Sequence, residues 1–282
     1  TDLVSHNYIV TVWDLCHRDT PEFPEVNFYR MFESREQLYN KCLYKAVAIL
    51  VDSEYGKRNM IKRYGIDENR ISVVPFSPSL NIIQKTEVDI KNKYNIKGNF
   101  IFYPAQFWSH KNHIYIIDAI SILKNKGINL YAIFSGADKG NLKYVLEYAK
   151  NIGVSELIRY IGFAPNDEMY SLYKNSLAMV MPSYFGPTNI PPLEAFFVGT
   201  PVCYPDRDGL REQVGDAALL CNLNNPDSLA DNLISLLNSE ELRNNLIEKG
   251  IKRLNELSET SVTDTLKNIF DNYAPMLKCW KV

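Results

Sequence analysis

Three loops of this chain carry side chains whose types and spacing could do chemistry. The first, Ala105-Gln106-Phe107-Trp108-Ser109-His110-Lys111-Asn112, sets amide side chains and a cation at the start of a predicted helix. A Lys in a first helical turn opposes the macrodipole, at a cost of a few tenths of a kcal/mol, about 0.3–1, unless an anion sits there. Free N–H groups at a helix start plus a Lys outline a phosphate site; a solvated surface Lys is the other reading. The second loop, Pro182 to Ala195 (PSYFGPTNIPPLEA), is more specific. Pro191 and Pro192 suit the start of a helix, where the missing N–H groups have no partner anyway, and Gly199 with Pro201 closes it. Ahead of that helix Thr188, Asn189 and Ile190 offer consecutive backbone N–H groups to an anion. Glu194 lies in the first turn. A carboxylate repels phosphate, so its use beside one is to accept hydrogen bonds from neutral hydroxyls such as a ribose diol; the bland alternative is a Glu that only answers the helix dipole. The third loop, Ser135-Gly136-Ala137-Asp138, ends a strand in a Gly, where backbone can approach a ligand or simply turn.

These loops need a frame, and the chain supplies one by alternating strand and helix. Apolar β-branched runs at Asn7–Trp13, Ala46–Val51 and Ile71–Pro75 alternate with helical spacing over Phe28–Lys45 and Glu54–Tyr64. From Phe100 the alternation restarts, with strands at Phe100–Ala105, Leu130–Ser135, Ile158–Gly162, Ala178–Pro182 and Pro201–Tyr204. Helices are predicted at Asn112–Lys126, Leu142–Ile152, Asp167–Asn175 and Pro192–Val198, then Ser228–Asn238, Glu240–Leu257 and about Val262–Tyr273. Strands joined by crossover helices make parallel sheets with helices on both faces. The expectation is therefore two doubly wound α/β domains facing across a cleft: 1–80, a linker at 81–98, 99–260, and a C-terminal helix at 261–282 that packs back on the first domain.

Composition narrows the function. The 282 residues suggest two domains at about 150 residues each. Thirty-one Lys and Arg against 33 Asp and Glu leave a net charge of −2, which argues against nucleic acid as a partner. The longest apolar run, Ala46–Val51, is far below the roughly 20 residues of a membrane span. Cys16, Cys42, Cys203, Cys221 and Cys279 are scattered and lack metal-ligand spacing, as expected for free thiols in a reducing cytoplasm. No G-x-G-x-x-G or P-loop motif follows a strand, so a dinucleotide oxidoreductase or a P-loop ATPase is disfavoured.

Phe100–Asn112 with Lys111, Ser135–Gly136, Ile161-Gly162-Phe163 and Pro182–Val202 together resemble the nucleotide-binding domain of the retaining glycosyltransferases of family 4, which have the GT-B fold. Gly209–Leu229 is similar to the segment that follows in that family, and Val51–Ser53 with Ile71–Pro75 to the end of its N-terminal domain. The resemblance implies metal-independent transfer of a sugar, with retention, from a nucleotide diphosphate sugar to a hydroxyl of a glycan or lipid-linked acceptor, as in surface polysaccharide synthesis. It implies no cofactor, a cytoplasmic location and peripheral contact with the inner membrane face. By position Lys111 would neutralise the diphosphate, Thr188 to Ile190 would hold the distal phosphate or sugar, and Glu194 would bind the ribose. Phe163 would meet the base, with Ala105, Gln106, Ser135 and Gly136 lining the nucleotide site.

The departures are as informative. Gly186 stands where the family has the Glu that contacts the donor sugar, Ser109-His110 replace the usual Arg, and the His-Asp pair of the first domain becomes Trp13-Asp14. Asp14 joins Lys111 and Glu194 as a catalytic candidate. A modified donor pocket, for a deoxysugar or mannose, is one reading; a non-catalytic nucleotide-sugar-binding protein is the alternative. His17, Arg18 and Asp19 either line the acceptor site or form an ordinary polar loop. The region before the linker supplies about three strands, and the chain starts at Thr1. The resemblance therefore implies a first domain truncated at its N-terminus, a chain that binds nucleotide but transfers sugar poorly.

Overall fold

The computed structural model describes residues 6–79, 82 and 85–280. The chain forms two units, one of residues 1–76, 186–188 and 256–282, the other of 77–185 and 189–255.

In the first unit β1 (Ile9–Val12), β2 (Ala48–Val51) and β3 (Ile71–Val73) pair in parallel in that order, with Ile9 opposite Ala48 and Ile49 opposite Ile71. Val12, Leu43, Ile49, Val51, Met60 and Ile71 build its core. The helix Glu54–Tyr64 has the bounds its sequence predicts because both ends are chemically marked. The Ser53 hydroxyl accepts the N–H of Gly56 at 3.0 Å, and Gly65 ends the helix at φ 63°. The helix expected over Phe28–Lys45 is broken: Tyr29 and Arg30 take left-handed φ of 56° and 60°, and regular helix runs only over Met31–Cys42. His17, Arg18 and Asp19 are tied up inside this unit. His17 Nε2 lies 2.8 Å from Glu36, Arg18 pairs with Glu36, and Asp19 pairs with Arg63 and Asn59. The Arg18 guanidinium, with Tyr64 and His17, holds the Glu36 carboxyl down to about 2. The helix Val262–Leu277 counts with this unit. All five cysteines are free, and Cys279 alone is exposed.

The second unit holds six parallel strands: β4 (Phe100–Pro104), β5 (Tyr131–Ser135), β6 (Ile158–Tyr160), β7 (Ala178–Val180), β8 (Val202–Pro205) and β9 (Leu219–Cys221), in the order β6-β5-β4-β7-β8-β9. Strands covered on both faces have no polar side, so β4 and β7 read as unbroken apolar runs and are buried almost throughout. β9 and the helix Leu210–Val214 are too short to show a period, and the sequence reading missed both. The stretch expected as a linker, 81–98, counts with this unit, whose boundary falls between residues 76 and 77. Ile90–Lys93 is a helical turn there, and Lys93 and Tyr94 both donate to the buried Glu168. Positions 81, 83 and 84 of that expectation lie outside the described residues.

Gly136 shows how tightly β4 and β5 deliver their loops. A Cβ at this position would stand 2.2 Å from the carbonyl oxygen of Ala105. The close neighbouring backbone by itself requires a Gly at this position. We expect Gly136→Ala to destabilise the second unit by about 3 kcal/mol through overpacking against backbone. Calorimetry should then show a fall in its Tm of roughly 6–12 °C.

Acid should weaken the first unit. Glu36 has a folded-state pKa below its ordinary value, so its contribution is present above about pH 4.5 and lost as pH falls through about 2. Glu36→Gln should flatten the acid limb of a denaturation profile measured over that window.

Candidate active site

In an open parallel sheet the crevice lies at the carboxyl ends of the strands, where the strand order reverses. Here the order runs outward from β4 through β5 to β6 and, on its other side, from β7 to β9, so the reversal falls between β4 and β7. A cavity of about 270 Å³ opens at this end. Ala105 and Gln106 after β4, Ser135 and Gly136 at the end of β5, Phe163 after β6, and Glu194 all line it. The structure thus brings together six residues from four separate segments of the sequence. Phe163 is 79% exposed, which leaves its ring open to a flat ligand. Ser135 is fixed from below: its hydroxyl donates to the Gly162 carbonyl at 3.1 Å and accepts the Ala164 N–H at 3.0 Å.

Glu194 projects from the helix Ile190–Val198, which starts two residues earlier than expected and ends at Gly199, φ 80°. The residue is only 8% exposed, and it is the one ionisable side chain among the described residues lining the cavity. Burial raises its pKa, opposed by the Tyr173 hydroxyl and the Ser79 backbone N–H. Tyr173, on the helix Asn166–Asn175, donates to Glu194 Oε2 at 2.7 Å. Sequence reasoning did not find Tyr173. The one available signal was a hydroxyl on the apolar face of a helix, since a buried Tyr O–H needs a partner.

Lys111 sits in a 3-10 turn, Ser109–Lys111, just ahead of the helix His113–Asn125 rather than in its first turn; Asn112, at φ 54°, separates the two. Lys111 Nζ lies 3.4 Å from Asn189 Oδ1. Asn189 is itself clamped. Its N–H donates to Gln213 Oε1 at 3.0 Å, its carbonyl accepts Gln213 Nε2 at 2.7 Å, and its Nδ2 donates to the Tyr204 hydroxyl at 2.7 Å. The Asn189 N–H therefore has a partner within the protein. That corrects the expectation of three consecutive N–H groups presented to an anion at Thr188, Asn189 and Ile190. Phe185 stacks on His110 at 3.7 Å and the Tyr184 N–H donates to the His110 carbonyl, joining the loops after β4 and β7. His113 is buried against Phe107, 4.1 Å between rings; burial and the nearby Lys111 hold its pKa down to about 3, so it stays neutral.

Asp14, Gly186 and Thr188 belong to the first unit. Asp14 accepts from Arg35 at 2.7 Å and from the Cys16 N–H at 3.0 Å. Burial pushes its carboxyl up, but these two donors outweigh it and hold the pKa below the usual value. The Thr188 hydroxyl donates to Asp52, a buried carboxylate that desolvation pushes up to about 6. Among the described residues no group of three or more His, Cys, Asp or Glu could hold a metal ion, and no helix is long and apolar enough to cross a membrane.

Solved structures share this architecture. Sucrose-phosphate synthase from Thermosynechococcus elongatus superposes with a TM-score of 0.77 at 15% identity, over 99% of this chain and 70% of that one. Anabaena HepE, solved in complex with UDP-glucose, gives 0.71 at 16% identity, over 98% and 73%. The fold is of the GT-B type, built from two Rossmann-like domains. Residues 84–253 match the family model for glycosyl transferases group 1, and the chain belongs to that family. It is 24% identical over 264 residues to the O-antigen chain mannosyltransferase B of Escherichia coli, covering 92% of this chain and 68% of the relative. The chain spans between 56% and 68% of the length of the first curated relatives it matches.

Gln213 was seen in the sequence only as part of the run Gly209–Leu229, yet it fixes both polar groups of the Asn189 backbone. Gln213→Leu leaves those groups without their partner in a 4%-exposed position. Urea denaturation should show a loss of roughly 1–3 kcal/mol.

Proposed function

We propose that this protein is a retaining glycosyltransferase that moves a sugar from a nucleotide diphosphate sugar to a hydroxyl of a glycan or lipid-linked acceptor in surface polysaccharide synthesis. One observation carries the reading: a lone buried carboxylate, Glu194, in an otherwise uncharged cavity at the reversal point of the sheet. A neutral diol satisfies such a group, and a nucleotide carries one on its ribose. The comparisons support the rest, since HepE was solved with UDP-glucose and the Escherichia coli relative is named for mannosyl transfer to an O-antigen chain.

In this reading the base lies against Phe163 and the backbone of Ala105 and Gln106, and the ribose hydroxyls donate to Glu194. The diphosphate is the leaving group. As the bond from the anomeric carbon to the distal phosphate oxygen breaks, negative charge grows on that oxygen. Lys111 stabilises it as a fixed cation, the kind of preorganised electrostatic contact that costs no reorganisation at the moment of reaction. Thr188 and the backbone near Ile190 serve the distal phosphate or the sugar, and Asp14 presents an ionised carboxylate at the end of β1. Gly186 offers no side chain to the donor sugar, which suits a donor with fewer hydroxyl contacts, mannose or a deoxysugar. No cofactor or metal is required, and the acceptor is met at the membrane face.

A thermal-shift screen of nucleotide sugars followed by a transfer assay tests the proposal. A stabilising donor and a product that retains its anomeric configuration by NMR are expected; an inverted product, or no stabilising donor, overturns it. Lys111→Ala should lose on the order of 2–4 kcal/mol of transition-state stabilisation, read as kcat/KM. Turnover should be unchanged by EDTA, and a strict Mn²⁺ or Mg²⁺ requirement would contradict the role given to Lys111.

A further inference from the structure

Glu194 acts only if its carboxylate is both ionised and aimed, and neither follows from its own position. Desolvation favours the neutral acid, and three side-chain torsions leave the headgroup free to turn. Tyr173 addresses both. Its ring is fully buried and packs edge-on against Phe102 of β4, 5.1 Å between centroids. Its carbonyl accepts the hydroxyls of Ser176 at 2.8 Å and Thr200 at 2.9 Å, so its backbone is tied to the end of its own helix and to the loop that follows the helix Ile190–Val198. From this anchored place its phenol reaches Glu194 Oε2 at 2.7 Å. The phenol stays protonated at any working pH, because burial and the adjacent Glu194 raise its pKa well above the ordinary value. It is a permanent donor.

We infer that Tyr173 is the positioning residue for Glu194, holding the carboxylate charged and oriented so that the site discriminates ribose hydroxyls from their absence. This deepens the proposed nucleotide-sugar reading and rests on it. The groups acting on the Glu194 carboxyl are its burial, the Tyr173 phenol and the Ser79 N–H, and no charged side chain is among them. The other described residues around the cavity, from Ile82 and Pro104 to Asn166 and Met169, bring no titratable group. Ribose discrimination should therefore follow the ionisation of Glu194. With a folded pKa above its ordinary value, the carboxylate gains a proton earlier on acidification than an exposed Glu would, and ribose-dependent affinity falls with it. Removing the phenol donor raises that pKa further and moves the loss toward neutral pH.

The experiment compares UDP and GDP with their 2′,3′-dideoxy analogues by calorimetry, between about pH 5 and pH 8, for the parent chain, Tyr173→Phe and Glu194→Gln. The parent should prefer the ribose form, and the preference should shrink on acidification. Tyr173→Phe should weaken the ribose form about tenfold near pH 7.5, leave the dideoxy form unchanged and shift the pH midpoint upward. In the Glu194→Gln background the same substitution should change nothing further. If Tyr173→Phe weakens both forms equally, its role is only structural and the inference fails. An unchanged preference or an unchanged midpoint also overturns it. Should Tyr173→Phe fail to fold, the parent's own profile decides: a ribose preference independent of pH refutes the assignment. A parent that binds neither nucleoside diphosphate refutes the nucleotide reading itself. A parent that binds both and shows no effect at Tyr173 refutes only the inference.

Discussion

The reversal of strand order between β4 and β7 is the constraint on which the second unit depends. Right-handed crossovers place the connections on opposite faces of the sheet to either side of that point, so the two loops diverge and leave space that no helix fills. Each candidate group of this unit comes from a segment leaving the sheet nearby: Lys111 after β4, Ser135 and Gly136 after β5, Phe163 after β6, Asn189 and Glu194 after β7. The loops are then locked by contacts that use up their own polar groups. The Gln213 clamp on Asn189 and the stacking of Phe185 on His110 hold the loop after β7, while the backbone of Ala105 lies so close to Gly136 that no side chain fits between them.

Three buried or half-buried carboxylates show how neighbours, not residue type, set chemical character. Asp14 meets a guanidinium, and the charged form wins despite desolvation. Asp52 and Glu194 meet only neutral donors, Thr188 and Ser53 for one and Tyr173 and Ser79 for the other. Desolvation then prevails, and both pKa values rise. A neutral donor lowers the cost of a buried charge without cancelling it. Such a carboxylate retains an appetite for further hydrogen bonds, whereas one paired with Arg is largely satisfied.

The fold was legible where local chemistry and burial agreed. The apolar runs of β4, β5 and β7 and the capped helix Glu54–Tyr64 could be read directly, because each carries its own period or its own end signals. The left-handed pair Tyr29-Arg30 could not, since both are ordinary L residues with no Gly to announce the break. The site was legible as far as spacing and resemblance reach. Lys111, Phe163 and Glu194 stood in recognisable loops, but Tyr173 and Gln213 act from elements remote in sequence, through hydrogen bonds that exist only once the sheet has formed. For the same reason the Asn189 N–H looked available: its partner lies 24 positions away on a helix too short to leave a pattern.

The distribution of thiols has a practical side. Four of the five are buried, and burial pushes Cys16 and Cys42 up, away from the reactive thiolate. Cys279, just beyond the helix Val262–Leu277, stands in solvent. A maleimide fluorophore added to the native protein therefore has a single address, fixed at the end of the C-terminal helix, with no engineered cysteine needed.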